Sequence, residues 1–214
     1  DANGQTNGKT NGEVYKVKPG NSKYVDVNKD GVYNDADQGI IGCGQPTFNW
    51  GWNNTFNYKN FDFSFFVVGF HGFDIYNATH QMGYNLIKSQ QMAGVTPMRE
   101  LLNRWTPTNT NTDIPGFVKG GTENKDFFST RFVENGSFIK MKSITLGYTL
   151  PEATCRSLGI NNLRVYASVQ NPFHITKYSG LDPEATMGSP LVQGVDWGAY
   201  PNSRNYLIGL NFSF

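Results

Sequence analysis

The chain has 214 residues, of which 16% are charged, and a formal net charge of +1. Without a clustered Lys/Arg surface it lacks what phosphate binding needs, so no nucleic-acid partner is expected. A mean hydropathy of −0.47 and the lack of any run of about 20 apolar residues exclude a helical membrane protein. They leave open a membrane β-barrel, whose strands need only about 10 residues, half of them polar; 14% aromatics and 24 glycines suit that class and also a secreted β-sandwich.

Residues 1–46 read as a loop. The opening Asp1-Ala-Asn-Gly-Gln-Thr-Asn-Gly8 is polar, unlike an export leader, and fits a mature N-terminus or the interior of a longer protein. The stretch 1–22 is turn-rich and aperiodic. Next, Asp26-Val-Asn-Lys-Asp-Gly-Val-Tyr-Asn-Asp-Ala-Asp37 has the spacing of a calcium loop. Such loops place side-chain oxygens at positions 1, 3 and 5, Gly at 6, a carbonyl at 7, often a water-mediated ligand at 9 and a carboxylate at 12. The expected ligands are therefore Asp26, Asn28, Asp30, the Val32 carbonyl, Asn34 and Asp37, with Gly31 at the bend. Asp37 is one methylene shorter than the usual Glu. The flanks Lys23-Tyr-Val and Gln38-Gly-Ile-Ile-Gly do not read as helices, so the ion would be structural. A solvated turn without metal is the competing reading of the same residues.

From Thr47 the pattern becomes a two-residue alternation. Phe48, Trp50, Trp52, Phe56 and Tyr58 alternate with small polar residues over 47–58, which puts them on one face of a strand. A two-residue turn at Lys59-Asn60 leads into 61–71, where Phe61, Phe63, Phe65 and Val67 continue the row, so the two strands form a hairpin. The connection 72–136 is long and is expected to hold one helix, Pro97–Trp105, capped by Thr96. Strand 137–150 carries Ile144, Leu146, Tyr148 and Leu150 in one row. Lys140 and Lys142 fall in that same row, which sets the first half of the strand beyond any lipid. After Pro151–Asn161, strand 162–173 sets Leu163, Val165, Ala167 and Val169 against polar neighbours. A second long loop covers 174–203. The last strand, 204–214, aligns Tyr206, Ile208, Leu210, Phe212 and Phe214.

The expected fold is thus all-β: five or so antiparallel strands joined by alternately tight and long connections. Membrane barrels show that asymmetry, whereas sandwiches distribute their loops more evenly. Five strands cannot close, since single-chain barrels begin at about 8, and an open edge in lipid leaves backbone groups unpaired. The rest of such a barrel must lie elsewhere. The aromatic rows read as lipid-facing, with Trp50, Trp52, Tyr58 and Tyr148 at the interfaces.

No catalytic constellation is visible, and no enzyme activity is expected. His71, His80 and His174 are scattered, and neither a nucleophile elbow nor a phosphate loop occurs. Glu123, Asp126 and Glu184 read as solvated loop charges. The loop residues Trp105, Phe117, Phe127, Trp197 and Tyr200 are candidate substrate contacts that no spacing singles out, and Arg104 and Arg204 read equally well as structural.

An ordered set of segments resembles a known family: Asp26–Asp37 with Ile40-Ile-Gly42, Phe56–Phe66, Asp74-Ile-Tyr-Asn77, Arg104-Trp-Thr-Pro107, Arg131–Lys142, Ile144–Pro151, Leu163–Asn171, Lys177–Glu184 and Tyr200–Arg204. Together they are similar to the C-terminal part of SusC/RagA-type TonB-dependent transporters. Pro172 departs from the family, which more often has Leu there. The resemblance implies a plugged barrel of roughly 22 strands in the outer membrane, importing oligomeric nutrients, glycans or peptides. It further implies a SusD-like surface lipoprotein as lid, membrane lipid around the barrel, and a plug and TonB contact in an N-terminal part outside these residues. It places 59–60, 151–161 and the C-terminus in the periplasm, and 1–46, 72–136 and 174–203 outside the cell. Phe214 would then belong to the signal read by the barrel-insertion machinery. Cys43 and Cys155 would lie on opposite sides of the membrane as free thiols, because a disulfide needs Cα atoms within about 7 Å. The competing function is a secreted, calcium-stabilised β-sandwich that binds polysaccharide.

Overall fold

Two-residue alternation only buries or exposes a face coherently if neighbouring strands hold one register. That is how the chain is built. The computed structural model describes residues 6–10, 13–16, 19–22, 24–30, 35–84, 98–116, 129–187 and 192–214. Its strands are β1 (Thr6–Thr10), β2 (Glu13–Lys16), β3 (Phe48–Tyr58), β4 (Phe61–His71), β5 (Asp74–Asn77), β6 (Val133–Asn135), β7 (Phe138–Thr149), β8 (Asn162–Gln170), β9 (His174–Thr176), β10 (Val195–Asp196) and β11 (Asn205–Ser213); its helices are α1 (Ala78–Tyr84) and α2 (Glu152–Ser157). Contacts divide the chain into two compact units, 1–41 with 77–133 and 42–76 with 134–214.

The second unit holds the main sheet, in which β3, β4, β7, β8 and β11 lie side by side in chain order, all antiparallel, with β9 added to β7. The β3–β4 hairpin closes on Tyr58↔Phe61, with Lys59 in the left-handed region at φ 53°. The β7–β8 connection carries α2, led by Pro151 and ended at Gly159 with φ 72°, the left-handed stop that glycine takes without strain. The opposite strand ends lead into the long connections. These hold elements that the sequence did not announce: β5, β6 and β10 form a separate three-stranded sheet, because Asp74 anchors Cys43 through both its N–H and its carboxylate, and Tyr76 N–H reaches the Gly194 carbonyl.

The row predicted for β7 is corrected by a bulge. Phe65 pairs Ile144 and Phe66 pairs Ser143, yet Val67 pairs Met141, so Lys142 and Ser143 together oppose Phe66. The extra residue shifts the alternation by one. Ile139 and Met141 therefore continue the row of Ile144, Leu146 and Tyr148, while Lys140 and Phe138 turn to the opposite face with Val68 and Phe70. The lysines do not interrupt the apolar row, and the reason for setting that half of β7 beyond lipid falls.

In the first unit, β1 and β2 pair from Thr6↔Lys16 to Thr10↔Glu13, where the sequence reading expected irregular lead-in. Asn77 caps α1 by accepting the His80 N–H at 2.8 Å. The helix expected over Pro97–Trp105 shrinks to a 3-10 turn at Arg99–Asn103; Thr96 and Pro97 lie outside the described residues. Trp105 N–H is drawn instead to the Ile114 carbonyl at 2.8 Å, and Thr106 pairs with Asn109.

Gly147 sits between Asp62 and Arg164, whose side chains meet across β7 in a two-point ion pair at 2.9 and 2.5 Å. A side chain at 147 would overlap both groups. Gly147→Val should cost about 1–3 kcal/mol, read as a lower urea midpoint of the full-length barrel in lipid vesicles. Gly39→Ala, whose added methyl meets no atom within 4 Å, should leave the midpoint unchanged. Equal midpoints for the two variants would contradict a cross-strand clamp.

Candidate functional site

The register sorts the sheet into two unlike faces. One carries Phe48, Trp50, Trp52, Phe56 and Tyr58 of β3; Phe61, Phe63, Phe65 and Val67 of β4; Ile144, Leu146 and Tyr148 of β7; Val165, Ala167 and Val169 of β8; and Tyr206, Ile208, Leu210 and Phe212 of β11. The other presents Asn49, Gly51, Asn53, Asn57, Asp62, Ser64, Thr145, Ser168, Tyr166, Arg164 and Asn211. Large apolar groups on the first face are open: Ile208 is 82% exposed and Phe56 55%. A soluble monomer rarely shows so extensive a contiguous apolar surface. Aromatic rings gather at the short-turn end, where Phe61 meets Tyr148 at 4.7 Å and Phe212 meets Phe214 at 5.3 Å.

Above the bulge the polar face becomes the floor of a small core. Phe138, Phe73, Ile75 and Tyr178 are buried together, with Phe70 stacked on Phe138 at 5.1 Å. Beside them Lys140 Nζ reaches Asp182 at 2.9 Å and Glu184 at 2.7 Å; Lys142 also pairs with Glu184. Asn202 donates to Asp182 through its N–H at 3.1 Å and to both acids through its side-chain amide. Glu184 is thus an ion-pair partner, contrary to its reading as a solvated charge; Glu123 and Asp126 lie outside the described residues. Burial pushes the Asp182 carboxyl up, but the bonds from Lys140 and the Asn202 and Glu184 amides outweigh it and hold the group below the usual range. Glu184 is held down likewise, by Lys140 and Lys142 against its burial. A second buried pair, Tyr178 Oη on Asp196 at 2.5 Å, and Ser179 on Glu134 tie the same loop. Asn171, at φ 49°, gives its N–H to Lys142 and its amide to the Ser203 carbonyl. Asn is among the few residues that take this conformation readily.

The calcium-loop residues lie in the first unit. Asp26 Oδ1 and Asn28 Oδ1 both accept the Asp30 N–H, at 3.2 and 3.0 Å, and the Asn28 amide reaches Asp30 Oδ2 at 2.9 Å. Buried Asp37 folds back so that its Oδ1 accepts the Val27 N–H at 2.9 Å. Four oxygen-bearing side chains therefore share one short loop. Val32 and Asn34 lie outside the described residues. Among the described residues no three His, Cys, Asp or Glu side chains gather in a metal-binding cluster, so the carboxylates fit a cation only with the amide, carbonyl and water oxygens that complete such loops.

Of the loop aromatics, Trp197 and Tyr200 are exposed, Trp105 lines a cleft with Arg104, and Phe117 and Phe127 lie outside the described residues. His71 stacks on Phe48, His174 pairs opposite Lys140 in β9, and His80 meets Glu100 at 3.1 Å. Tyr84 donates to the same Glu100 oxygen at 2.7 Å. Bonds from Tyr84 and then His80 hold Glu100 low, and burial raises the Tyr84 phenol to about 12. Both cysteines are free, Cys155 buried and Cys43 exposed.

An open antiparallel sheet with one apolar and one polar face, short turns at one end and long loops at the other, is a section of transmembrane β-barrel wall. No family model matches the chain. It is 36% identical over 202 residues to TonB-dependent receptor P3 of Formosa agariphila, covering 92% of this chain and 19% of that protein. It is 32% identical over 199 residues to TonB-dependent receptor SusC of Bacteroides thetaiotaomicron, covering 92% and 18%. The RagAB peptide importer in its closed-closed state superposes with a TM-score of 0.70 at 26% identity, over 94% of this chain and 21% of that one; the RagAB peptide transporter gives 0.67 at 28%, over 80% and 17%. The chain thus spans about a fifth of the length of the curated relatives it matches. It is a part of a TonB-dependent receptor, a class of outer-membrane β-barrel proteins, and not a β-sandwich module. Within that class it belongs to the SusC/RagA type, as a C-terminal segment of the barrel.

The loop network has a definite pH dependence. Asp182 and Glu184 have lowered folded-state pKa values, so their contribution is complete above the unfolded carboxylate value of about 4 and is lost as pH falls below it. In the full-length transporter, protease cleavage within 174–203 should stay slow from pH 7 to 5 and accelerate below about pH 4. Lys140→Met strands the buried Asp182 carboxylate, while Glu184 keeps Lys142; it should cost about 3–5 kcal/mol and move the onset to higher pH. An unchanged onset in that variant would contradict the role given to Lys140.

Proposed function

We propose that the whole protein is a TonB-energised outer-membrane importer of oligomeric nutrients, glycans or peptides, working with a SusD-like surface lipoprotein. This chain would supply barrel wall and loops, with no catalysis of its own. The observation that carries the reading is the apolar face, interrupted on β3 by Asn54, that runs across β3, β4, β7, β8 and β11. Its width needs lipid, and its polar reverse suits a hydrated lumen. The kinship with SusC and with the RagAB peptide transporter supports import and a two-protein assembly. The short turns at 59–60 and 151–161 would face the periplasm and the long connections the cell exterior, as barrels of this kind arrange them.

The segment Asp26–Asp37 would hold a structural calcium ion through Asp26, Asn28, Asp30, the Val32 carbonyl, Asn34 and Asp37. Its support is the ligand spacing and the convergence of Asp26 and Asn28 oxygens on one amide. The ion would lock the loop by charge neutralisation. The full-length transporter should bind one calcium per segment by calorimetry, with ligands at about 2.3–2.6 Å, and Asp26→Asn with Asp37→Asn should abolish that binding. An ordered loop carrying only water in calcium-containing buffer would count against it.

The lipid assignment is tested by placing charge on each face. Ile208→Arg should cost about 2–4 kcal/mol of barrel stability in vesicles, whereas Asn211→Arg on the polar face should be tolerated. Equal effects would refute it. Import is tested by uptake of labelled oligosaccharides and peptides in cells with and without TonB; uptake that ignores TonB would refute that part.

A further inference from the structure

The first unit contains a cleft of about 210 Å³ lined by Pro19, Gly20, Asn21, Arg104, Trp105 and Gly116, among others. It is smaller than the roughly 300–1,000 Å³ of sites that enclose drug-sized molecules, so it has room for a single monomer unit. Its walls are fixed rather than adaptable. Gly20, at φ 89°, and Gly116 lay their backbones against the six-membered ring of Trp105; a Cβ at Gly20 would overlap that ring, and one at Gly116 would press on it at 3.1 Å. The Gly116 N–H bonds the Gly20 carbonyl at 2.7 Å, and Trp105 N–H bonds Ile114 at 2.8 Å. The indole is thereby held in place before any ligand arrives, which removes an ordering cost from binding.

The electrostatics are one-sided. Among the described residues of the lining, Arg104 is the only charged group. Its guanidinium spends one donor on the Leu101 carbonyl at 3.3 Å, and among the described residues no carboxylate pairs with it. A guanidinium offers five donors in a rigid fork suited to planar anions. An aromatic wall beside an uncompensated guanidinium, with the Asn21 amide close by, suits a sugar ring that carries a carboxylate or sulfate. The ring's apolar face would lie on the indole and its anion on Arg104.

We propose that this cleft is a binding subsite for one acidic sugar unit of an imported glycan. This rests on the importer reading only for the source of the ligand. The experiment is calorimetry on the purified full-length transporter with trigalacturonate, a sulfated trisaccharide, neutral maltotriose and triglutamate peptide. The native protein should bind an acidic trisaccharide and not maltotriose at the same concentrations. Arg104→Gln should weaken that binding about tenfold, the order of one lost charge-assisted bond. Trp105→Leu should weaken it similarly, whereas Trp105→Phe should largely retain it and serves as the folding control. The proposal is overturned if neither acidic sugar binds, if Arg104→Gln changes nothing, or if triglutamate binds as tightly as the sugars. Binding without any TonB-dependent uptake would sink the importer reading and leave the cleft standing; uptake with a cleft indifferent to Arg104 would do the reverse.

Discussion

Everything in the second unit depends on the phase of one antiparallel ladder. Side chains alternate with a period of two, so a single-residue slip would exchange the apolar and polar faces of a strand. In lipid the constraint is stricter, because every backbone N–H and carbonyl must find a partner within the sheet. From Tyr58↔Phe61 to Phe212↔Leu163 the phase is held across all five long strands. It changes at one place on β7, where Lys142 and Ser143 share Phe66. That bulge keeps Ile139 and Met141 in the apolar row and sends Phe138 and Lys140 to the other side. Without it, the aromatic floor of the loop core and its central cation would point the wrong way.

The loop core then combines two kinds of force with different jobs. Burial of Phe73, Ile75, Phe138 and Tyr178 supplies non-directional attraction of roughly 1.5–3 kcal/mol for each large side chain fully removed from water. It does not select one arrangement. The Lys140, Asp182, Glu184 and Asn202 network does, because each acid must meet its donors at fixed angles or remain a buried charge. The net stabilisation from such a network is small, but the penalty for misplacing any member is large. Segment 174–203 is fastened at its start by β9, in its middle by the two acids and Asp196, and at its end by the Asn171–Ser203 bond.

This division explains what could be read from the sequence. The aromatic and aliphatic rows of β3, β4, β8 and β11 were legible because no bulge shifts their parity, even with Asn54 in the apolar row and Phe66, Val68 and Leu207 outside it. In β7 the apolar residues change parity between Met141 and Ile144, a local sign of a bulge, but Lys140 and Lys142 fell in the later row and masked it. Glu184 and Asp182 were illegible for another reason: their partner Lys140 is 42 and 44 residues away, and no local pattern encodes a pairing at that separation. The 3-10 turn at Arg99–Asn103 replaced a longer helix because Ile114 and Asn109 compete for the backbone of Trp105 and Thr106, a tertiary demand that overrides helix propensity.

The two ends of the sheet differ in how they meet their surroundings. At the short-turn end the contacts are rings, the part-buried Asp62–Arg164 pair and one exposed ion pair within α2, Arg156 with Glu152. At the other end, loop polar groups are buried and paired, while Trp197 and Tyr200 stand out into solvent at 59% and 90% exposure. A loop that moved as a gate would have to break Lys140 from both acids and expose Phe138 each time it opened, at several kcal/mol per buried charge. Local opening is drawn from regions with few buried contacts, which this segment is not. The described parts of this segment, 174–187 and 192–203, are therefore built as fixed wall, tied by Lys140 to both acids and by Tyr178 to Asp196.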